Sequence, residues 1–186
     1  MVGDGPRLEG YAVVFNSLSA VMRDKKGPFR EVIRPGAFTA ALAGGPPILA
    51  LYEHDRQKIV GWNLELGGLV VNQDERGLHF ELDLDATDLG SLVAGQARRG
   101  ELRGCSFDLL ATKELWKQDR LGRLRVVLEA GLTEITVVGP TKRPSYGATR
   151  DDLRLVSSWS VTQDLMRRRL QLAEVEGGRL RKGRRQ

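Results

Sequence analysis

The sequence predicts a mainly β fold of the α+β class, in which short strands form a β-barrel or folded sheet and a few short helices are added. Glycine is frequent, with 22 of the 186 residues, whereas aromatic residues make up only 6%. This composition suits many short strands and turns better than a helical bundle. About eight or nine apolar runs of strand length follow one another along the chain. The hydrophobic content of 41% is enough for one buried core, and we expect a domain of roughly 150 residues.

Three strands and one short helix are expected in the first third of the chain. The apolar runs at 8–15, 29–33 and 48–54 have the length and composition of strands. Between the first two, the polar and charged segment 16–27 indicates an exposed loop. A Pro-Gly pair breaks the second strand, after which residues 37–43 can form about two helical turns.

The middle of the chain indicates an antiparallel meander over residues 59–66 and 68–85. In its last strand, apolar and polar residues alternate strictly. One face would carry Leu78, Phe80, Leu82 and Leu84, and the other His79, Glu81, Asp83 and Asp85. Such a strand buries one face and exposes the other to water.

The second half of the chain predicts one helix, more strands and a C-terminal helix. Thr87 or Asp88 can cap the start of a helix over 85–100, and Gly100 suits its end. Further strands are expected at 102–111, 112–119, 123–130 and 132–139, the middle two as a hairpin, followed by a loop at 140–150 and an amphipathic helix at 158–172.

The positive charge is concentrated at the C-terminal end. Residues 1–150 carry 20 basic and 19 acidic side chains, a net charge of +1, whereas residues 151–186 carry 9 and 5, a net charge of +4. We therefore expect a barrel domain over 1–150 and a basic helix and tail over 151–186. Because the barrel is nearly neutral, nucleic acid is not the expected partner, although the tail can make weak contacts with an acidic one.

Composition also argues against several kinds of protein and site. One cysteine cannot form an internal disulfide, and no apolar stretch approaches the roughly 20 residues of a membrane span. The N-terminal residues lack the pattern of a secretory signal. Two histidines and one cysteine make no recognisable zinc site, and no phosphate-binding loop is present. We expect no metal, no cofactor and no membrane association.

The two histidines restrict the choice of a general base. His79 lies on the polar face of an alternating strand, which is the usual place of a solvated surface histidine. His54 ends an apolar strand between Glu53 and Asp55, at a sheet edge where functional sites are commonly built. His54 is therefore the candidate base, with a structural role as the alternative.

Ser106 is the candidate nucleophile. Within the strand at 102–111, Ser106 and Asp108 point away from Cys105 and Phe107. The apolar set would take the core, which assigns Cys105 to packing. The other serines lie in expected loops, helices or near the tail. A serine attacks only when a base within about 3 Å takes its proton, so Ser106 requires an imidazole nearby.

Glu134 is the candidate acid that would orient the imidazole. It is a single carboxylate in an otherwise apolar strand, and a buried carboxylate without a partner is costly. A salt bridge to Arg103 or Arg125 is the alternative explanation.

The order of the segments resembles the prohead maturation proteases of tailed phages, a family distantly similar to the herpesvirus assemblins. The matching features are "LEGYAVVFNSLS", "FREVIRPGAF", "LYEHD" followed by "VGW", "DERGLHFELDL", "ARRGEL", "RGCSFDL" and "LTEITVVGP". They cover residues 8 to 150, and the most specific is "EVIRPGAF" followed by an apolar strand that ends in histidine.

The resemblance implies a serine endopeptidase with a herpesvirus-protease-like β-barrel. By position, His54 is similar to the general base and Ser106 to the nucleophile. Assemblins use a second histidine as the third member, but this chain has none after residue 79. Glu134 is therefore expected in that role, with Asp108 and Asp55 as alternatives.

The resemblance also implies an oxyanion-stabilising loop and a set of partners. Lys142 and Arg143, in "GPTKRPS", are the candidates for the loop. The expected substrates are the scaffold protein, the scaffold-like segment of the major capsid protein, and the protease itself, inside the procapsid in the host cytoplasm. A homodimer is possible in this family, and an inactive assembly protein of the same fold is the alternative function.

Overall fold

In a computed structural model of the protein, which describes residues 5–149 and 152–156, ten strands and two α-helices build a mainly β fold. The expected fold class is confirmed. The strands are β1 (Arg7–Val14), β2 (Met22–Asp24), β3 (Gly27–Ile33), β4 (Leu49–Tyr52), β5 (Asp55–Trp62), β6 (Leu69–Gln73), β7 (Gly77–Asp83), β8 (Gly104–Asp119), β9 (Gly122–Val138) and β10 (Arg154–Val156). The helices are α1 (Thr39–Gly44) and α2 (Asp88–Arg98), and a 3-10 turn covers Gly147–Thr149.

The first sheet has the strand order β10-β1-β7-β6, with all neighbours antiparallel. Its β6–β7 pair is the second part of the predicted meander, whereas residues 59–62 belong to β5 and pair with β4 in the second sheet. On β7, Leu78, Phe80 and Leu82 are fully buried, because the strand places every second side chain on the core face. The other face is not all exposed as predicted, since Glu81 is buried and pairs with Arg7 at 2.7 Å.

The second sheet has the order β2-β3-β9-β4-β5, and β8 pairs with the other edge of β9. β9 runs parallel to β3 and β4 and antiparallel to β8. It contacts β3 with its first half and β4 with its second half. β9 is thus the strand through which β8 and the β4–β5 hairpin are held in one sheet.

The two sheets curl over one shared core and are joined at their edges. An isolated bridge between Trp62 and Gly68 connects β5 to the start of β6. Near the end of β1, the N–H of Asn16 donates to the carbonyl of Ile33 on β3, at 2.9 Å. The core contains side chains from both sheets, including Leu8, Phe80, Ile135 and Val137. The β-barrel expectation is therefore met by two curled, linked sheets.

Helix α2 closes one side of this core and follows the expected capping pattern. The side chain of Thr87 accepts a hydrogen bond from the N–H of Gly90 at 3.1 Å. Val93 and Ala94 are buried, and Gly100 adopts φ +65, the left-handed conformation that commonly follows a helix end. In the described part of the chain, neither helix has the length and apolar character needed to cross a membrane.

The structure differs from the sequence predictions in three further places. The segment 16–27 is not all loop, because Met22–Asp24 form β2 beside β3. The expected separate strands at 102–119 and 123–139 are two continuous strands, of 16 and 17 residues, with bulges between paired positions. Bulges let one long ribbon bend without ending. The short strand β10 was not predicted, and the expected helix at 158–172 lies outside the described residues.

Replacing Thr87 with alanine should lower the free energy of unfolding by about 1 kcal/mol, because the N-cap hydrogen bond to α2 is lost. Urea unfolding followed by circular dichroism measures this change. Ser91→Ala is the matched control, since this exposed helical serine has no capping role. Equal stability of the two variants would contradict the assigned cap.

Candidate active site

His54 lies in a tight turn at the rim of the second sheet. Tyr52 of β4 pairs with Asp55 of β5, so that Glu53 and His54 form a two-residue hairpin turn. Both adopt left-handed backbone conformations, with φ +59 and +55, which such turns need and which Gly or Asn usually supplies. A non-glycine residue in this conformation costs on the order of 1 kcal/mol or more. The turn therefore places His54 at the rim of the sheet, although its backbone conformation is unfavourable.

Glu134 holds the imidazole of His54. Its Oε1 lies 2.8 Å from Nδ1 of His54, and it also accepts a hydrogen bond from Oγ1 of Thr136 at 3.0 Å. The Glu134 side chain is 8% exposed, whereas that of His54 is 39% exposed. With the ring neutral, an Nδ1–H that donates to the carboxylate leaves the lone pair on Nε2. Nε2 is then the nitrogen that can accept a proton.

Ser106 lies beside this pair, on the neighbouring strand. It is paired with Thr136 across β8 and β9, and only 7% of Ser106 is exposed. Residues directly opposite each other in an antiparallel pair point to the same face, with Cα atoms about 5 Å apart. Ser106, Thr136 and Glu134 thus lie on one face, and Nδ1 of His54 contacts Glu134 from the neighbouring turn.

The alternative acids have other partners. Asp108 is exposed and accepts a hydrogen bond from Thr133 at 3.2 Å. Asp55 accepts one from the N–H of Gln57 and pairs with Lys58 at 3.1 Å, and these donors hold the pKa of Asp55 below its usual value.

Neither arginine considered for Glu134 forms an ion pair with it among the described residues. Arg125 pairs instead with Glu31 at 3.0 Å and with Glu114 at 2.6 Å. Arg103 lines a cavity together with the loop after β9. The partners of Glu134 are therefore a histidine and a threonine.

The loop after β9 carries Lys142 and Arg143. It borders a cavity of about 600 Å³, lined by Arg103, Pro140, Thr141, Lys142, Arg143, Pro144 and Gly147. Among the described residues, the backbone N–H groups of Lys142 and Arg143 donate no hydrogen bond. The Nζ of Lys142 contacts the carbonyl of Glu53. The loop thus presents free backbone donors next to the His54 turn.

The far end of this loop is fixed to β8. Oγ1 of Thr149 accepts from the N–H of Cys105 at 3.0 Å and lies 2.9 Å from the carbonyl oxygen of the same residue. Tyr146 packs on Phe107, with ring centroids 5.3 Å apart, and donates to Glu31 at 2.9 Å. These contacts secure the loop beside the strand that carries Ser106.

The remaining candidate residues, Cys105 and His79, have structural roles. Cys105 is a core residue, 1% exposed, as the alternation on its strand predicts. His79 lies in the first sheet, where its ring packs nearly perpendicular to that of Tyr11, with ring centroids 5.2 Å apart. In the described ranges, no group of three or more His, Cys, Asp or Glu side chains is arranged to hold a metal ion.

Sequence reasoning missed two residues of the site, Thr136 and Glu53. Thr136 is completely buried and bonds Glu134, and its position two residues after Glu134 on one strand is a signal that it shares the same face. Glu53 lies buried in the His54 turn and contacts the loop after β9. No local pattern marks that contact, because it joins positions 88 residues apart.

The comparison with known families gives one match. A family model described as caudovirus prohead serine protease matches residues 3–163, which is most of the 186-residue chain. The chain belongs to this family. The resemblance noted in the sequence is confirmed. Membership of the family assigns the chain to the serine proteases of phage capsid maturation. No curated protein matches the chain.

A prohead serine protease does not depend on a cysteine, and Cys105 should be unreactive in the folded protein. Burial raises the pKa of its thiol, and the neutral thiol is a poor nucleophile. Iodoacetamide at pH 8 should alkylate Cys105 only after unfolding, as measured by the mass of the intact protein. Rapid alkylation of the native protein would show that the strand around Cys105 opens readily.

Proposed function

We propose that the protein is a serine endopeptidase in which Ser106 is the nucleophile, His54 the general base and Glu134 the residue that orients His54. The single observation that carries the proposal is the 2.8 Å contact between Nδ1 of His54 and Oε1 of Glu134. The pairing of Ser106 with Thr136, which itself bonds Glu134, supports the place of the nucleophile in the same cluster.

In the proposed reaction, Oγ of Ser106 attacks the scissile peptide carbonyl while Nε2 of His54 accepts the hydroxyl proton. His54 then donates this proton to the leaving amine, and an acyl-enzyme remains. Water attacks the ester with His54 again as base, which releases the acid product and restores Ser106.

Glu134 acts on His54 in two ways in this mechanism. Its hydrogen bond fixes the tautomer with the proton on Nδ1, and its negative charge stabilises the imidazolium that forms when Ser106 attacks. Because the carboxylate is buried, its charge acts with little screening by solvent. Thr136 supplies a second donor to the same oxygen, which offsets part of the cost of burying Glu134.

The loop after β9 is the proposed oxyanion site. Free backbone N–H groups of Lys142 and Arg143 can donate to the oxygen that becomes negative in the tetrahedral intermediate, and such donors are often the largest single contribution to catalysis. The two cationic side chains add positive charge near the same position.

The proposed substrates are a scaffold protein or the scaffold-like segment of the major capsid protein, and the protease itself. Membership of the prohead protease family supports this choice, and it also supports a location inside the procapsid. Capsid and scaffold proteins are thus the proposed partners, and a homodimer is a further proposal.

Replacing Ser106 with alanine should abolish cleavage of the scaffold or capsid protein that is co-expressed with the protease. We expect a fall in kcat of about 10⁴-fold or more, because the reaction loses its nucleophile. A biotin-linked fluorophosphonate should label the wild-type protein at Ser106 and should not label the variant. Wild-type activity in Ser106→Ala would contradict the assignment.

Two further variants refine this test. Glu134→Gln keeps the size of the side chain but loses its charge, and we expect a fall in kcat of about 10²- to 10⁴-fold. Ser91→Ala, at an exposed helical serine, is the matched control and should cleave and label normally. A wild-type protein that folds, enters procapsids and is never labelled would instead favour the inactive assembly protein.

The segment after the barrel is the proposed signal for incorporation into the procapsid. The test truncates the chain after Val156 rather than after residue 150, because this keeps Arg154–Val156, which form β10 on the edge of β1. The truncated protein should keep its fluorophosphonate reactivity but be depleted from procapsids, as measured by immunoblotting of purified particles. Normal incorporation would refute the role of residues 157–186.

A further inference from the structure

Glu53 connects the His54 turn to the end of β9 and to the loop that follows it. Its Oε2 accepts a hydrogen bond from Oγ1 of Thr141 at 2.8 Å, and its carbonyl contacts Nζ of Lys142. Its own N–H donates to the carbonyl of Val137 at 3.0 Å. A Cβ on Gly139 would lie 2.7 Å from its Oε1, so the carboxylate packs directly on the backbone at the start of the loop.

The position of Glu53 is costly for folding. It is only 6% exposed and adopts φ +59, a conformation that disfavours most residues with a side chain. Its Oε1 is buried and has no hydrogen-bond partner among the described residues. Buried carboxylate oxygens are normally satisfied, so an exception calls for an explanation. Backbone strain of this kind persists where the surrounding structure enforces it, typically at functional sites.

Gly139, the first residue after β9, lies close to the side chains of Tyr52 and Glu53. Besides the contact with Glu53, a Cβ at Gly139 would lie 2.4 Å from the hydroxyl of Tyr52. A larger residue there would have to displace both side chains, so with glycine the chain leaves β9 directly against the side chain of Glu53. One residue later the chain turns at Pro140, and Thr141 then donates back to the same carboxylate. The path of the loop is therefore set by Glu53 from both sides.

We propose that Glu53 is a positioning residue that locks residues 139–142 against the His54 turn and so fixes the backbone donors of Lys142 and Arg143 relative to Ser106. This inference rests on the proposed function. It goes beyond that function because it assigns the alignment of the oxyanion site to a residue that touches neither the substrate nor the reacting atoms.

The location of Glu53 gives this role a mechanical basis. His54 and the 139–142 loop belong to different segments, and a peptidase needs the base and the oxyanion donors to keep their relative positions within about 1 Å. Because Glu53 precedes His54 in the same two-residue turn, any contact it makes with the loop ties the loop to the base. The partly exposed neighbour Asp55 forms its ion pair with Lys58 instead.

The test separates alignment of the loop from an effect on His54. Thr141→Val removes the hydroxyl that donates to Glu53 but keeps the size of the side chain, and Thr141 is exposed, so folding should be unaffected. The measurement is the second-order rate of labelling by a fluorophosphonate, whose phosphoryl oxygen occupies the oxyanion site, as a function of pH. Thr133→Val, at an exposed threonine on β9, is the matched control.

We expect Thr141→Val to label about 10- to 100-fold more slowly than the wild type, because misaligned oxyanion donors lose part of their effect. The midpoint of the pH profile should not move, because it reports the base His54. Glu53→Gln should show the same behaviour, since a neutral acceptor forms a weaker hydrogen bond than a carboxylate. Thr141→Ser, which restores a hydroxyl, should recover most of the rate, and Thr133→Val should label as the wild type does.

The contrary results distinguish a wrong role for Glu53 from a wrong peptidase proposal. Wild-type labelling rates in Thr141→Val and Glu53→Gln, together with loss of labelling in Ser106→Ala, would overturn the role of Glu53 and leave the peptidase proposal intact. A shifted pH midpoint would also overturn it, because Glu53 would then act on His54 rather than on the loop. If the folded wild-type protein is not labelled at Ser106, both the proposed function and this inference are wrong.

Discussion

The hydrogen bond between His54 and the buried carboxylate of Glu134 depends on how β4 and β9 are paired. The two strands run parallel, with Leu49 beside Glu134 and Tyr52 beside Val137. The chain then reverses at the Glu53–His54 turn, which returns the imidazole to the face that carries Glu134. A shift of this pairing by one residue would move Glu134 to the opposite face. The candidate site therefore exists only in this register.

Strand β9 extends the same constraint to Ser106. Its two edges hold different partners, β8 on one side and β3 and then β4 on the other. Glu134 and Thr136 are two residues apart on this strand and share one face, with Ser106 beside Thr136 on β8. His54 and Ser106, which are distant in sequence, thus both lie against β9, His54 at Glu134 and Ser106 at Thr136. The sheet provides the rigidity that catalysis would require of Ser106 and Glu134, whereas His54 lies in a tight turn and the proposed oxyanion donors lie in the loop after β9.

Much of this arrangement is visible in the sequence, and the remainder has a physical reason for being hidden. Ser106 and Glu134 stand out as polar residues in apolar strands, and the alternation around Cys105 correctly places the thiol in the core. The caps of α2 are likewise local and were predicted. The role of Glu53 depends instead on a left-handed turn without glycine and leaves no local pattern, whereas Thr136 is indicated only by its spacing of two residues from Glu134. β10 was missed because three residues are too few to show a period.

The proposed role of Glu134 requires a buried carboxylate with hydrogen-bond donors close to it. His54 and Thr136 both contact the same oxygen of this carboxylate. His54 itself stays partly exposed, as a group that exchanges protons with substrate and water must. Glu53, buried one residue earlier, accepts a hydrogen bond from Thr141. The two glutamates thus contact different groups around the same hairpin, Glu134 the imidazole and Glu53 the loop that follows β9.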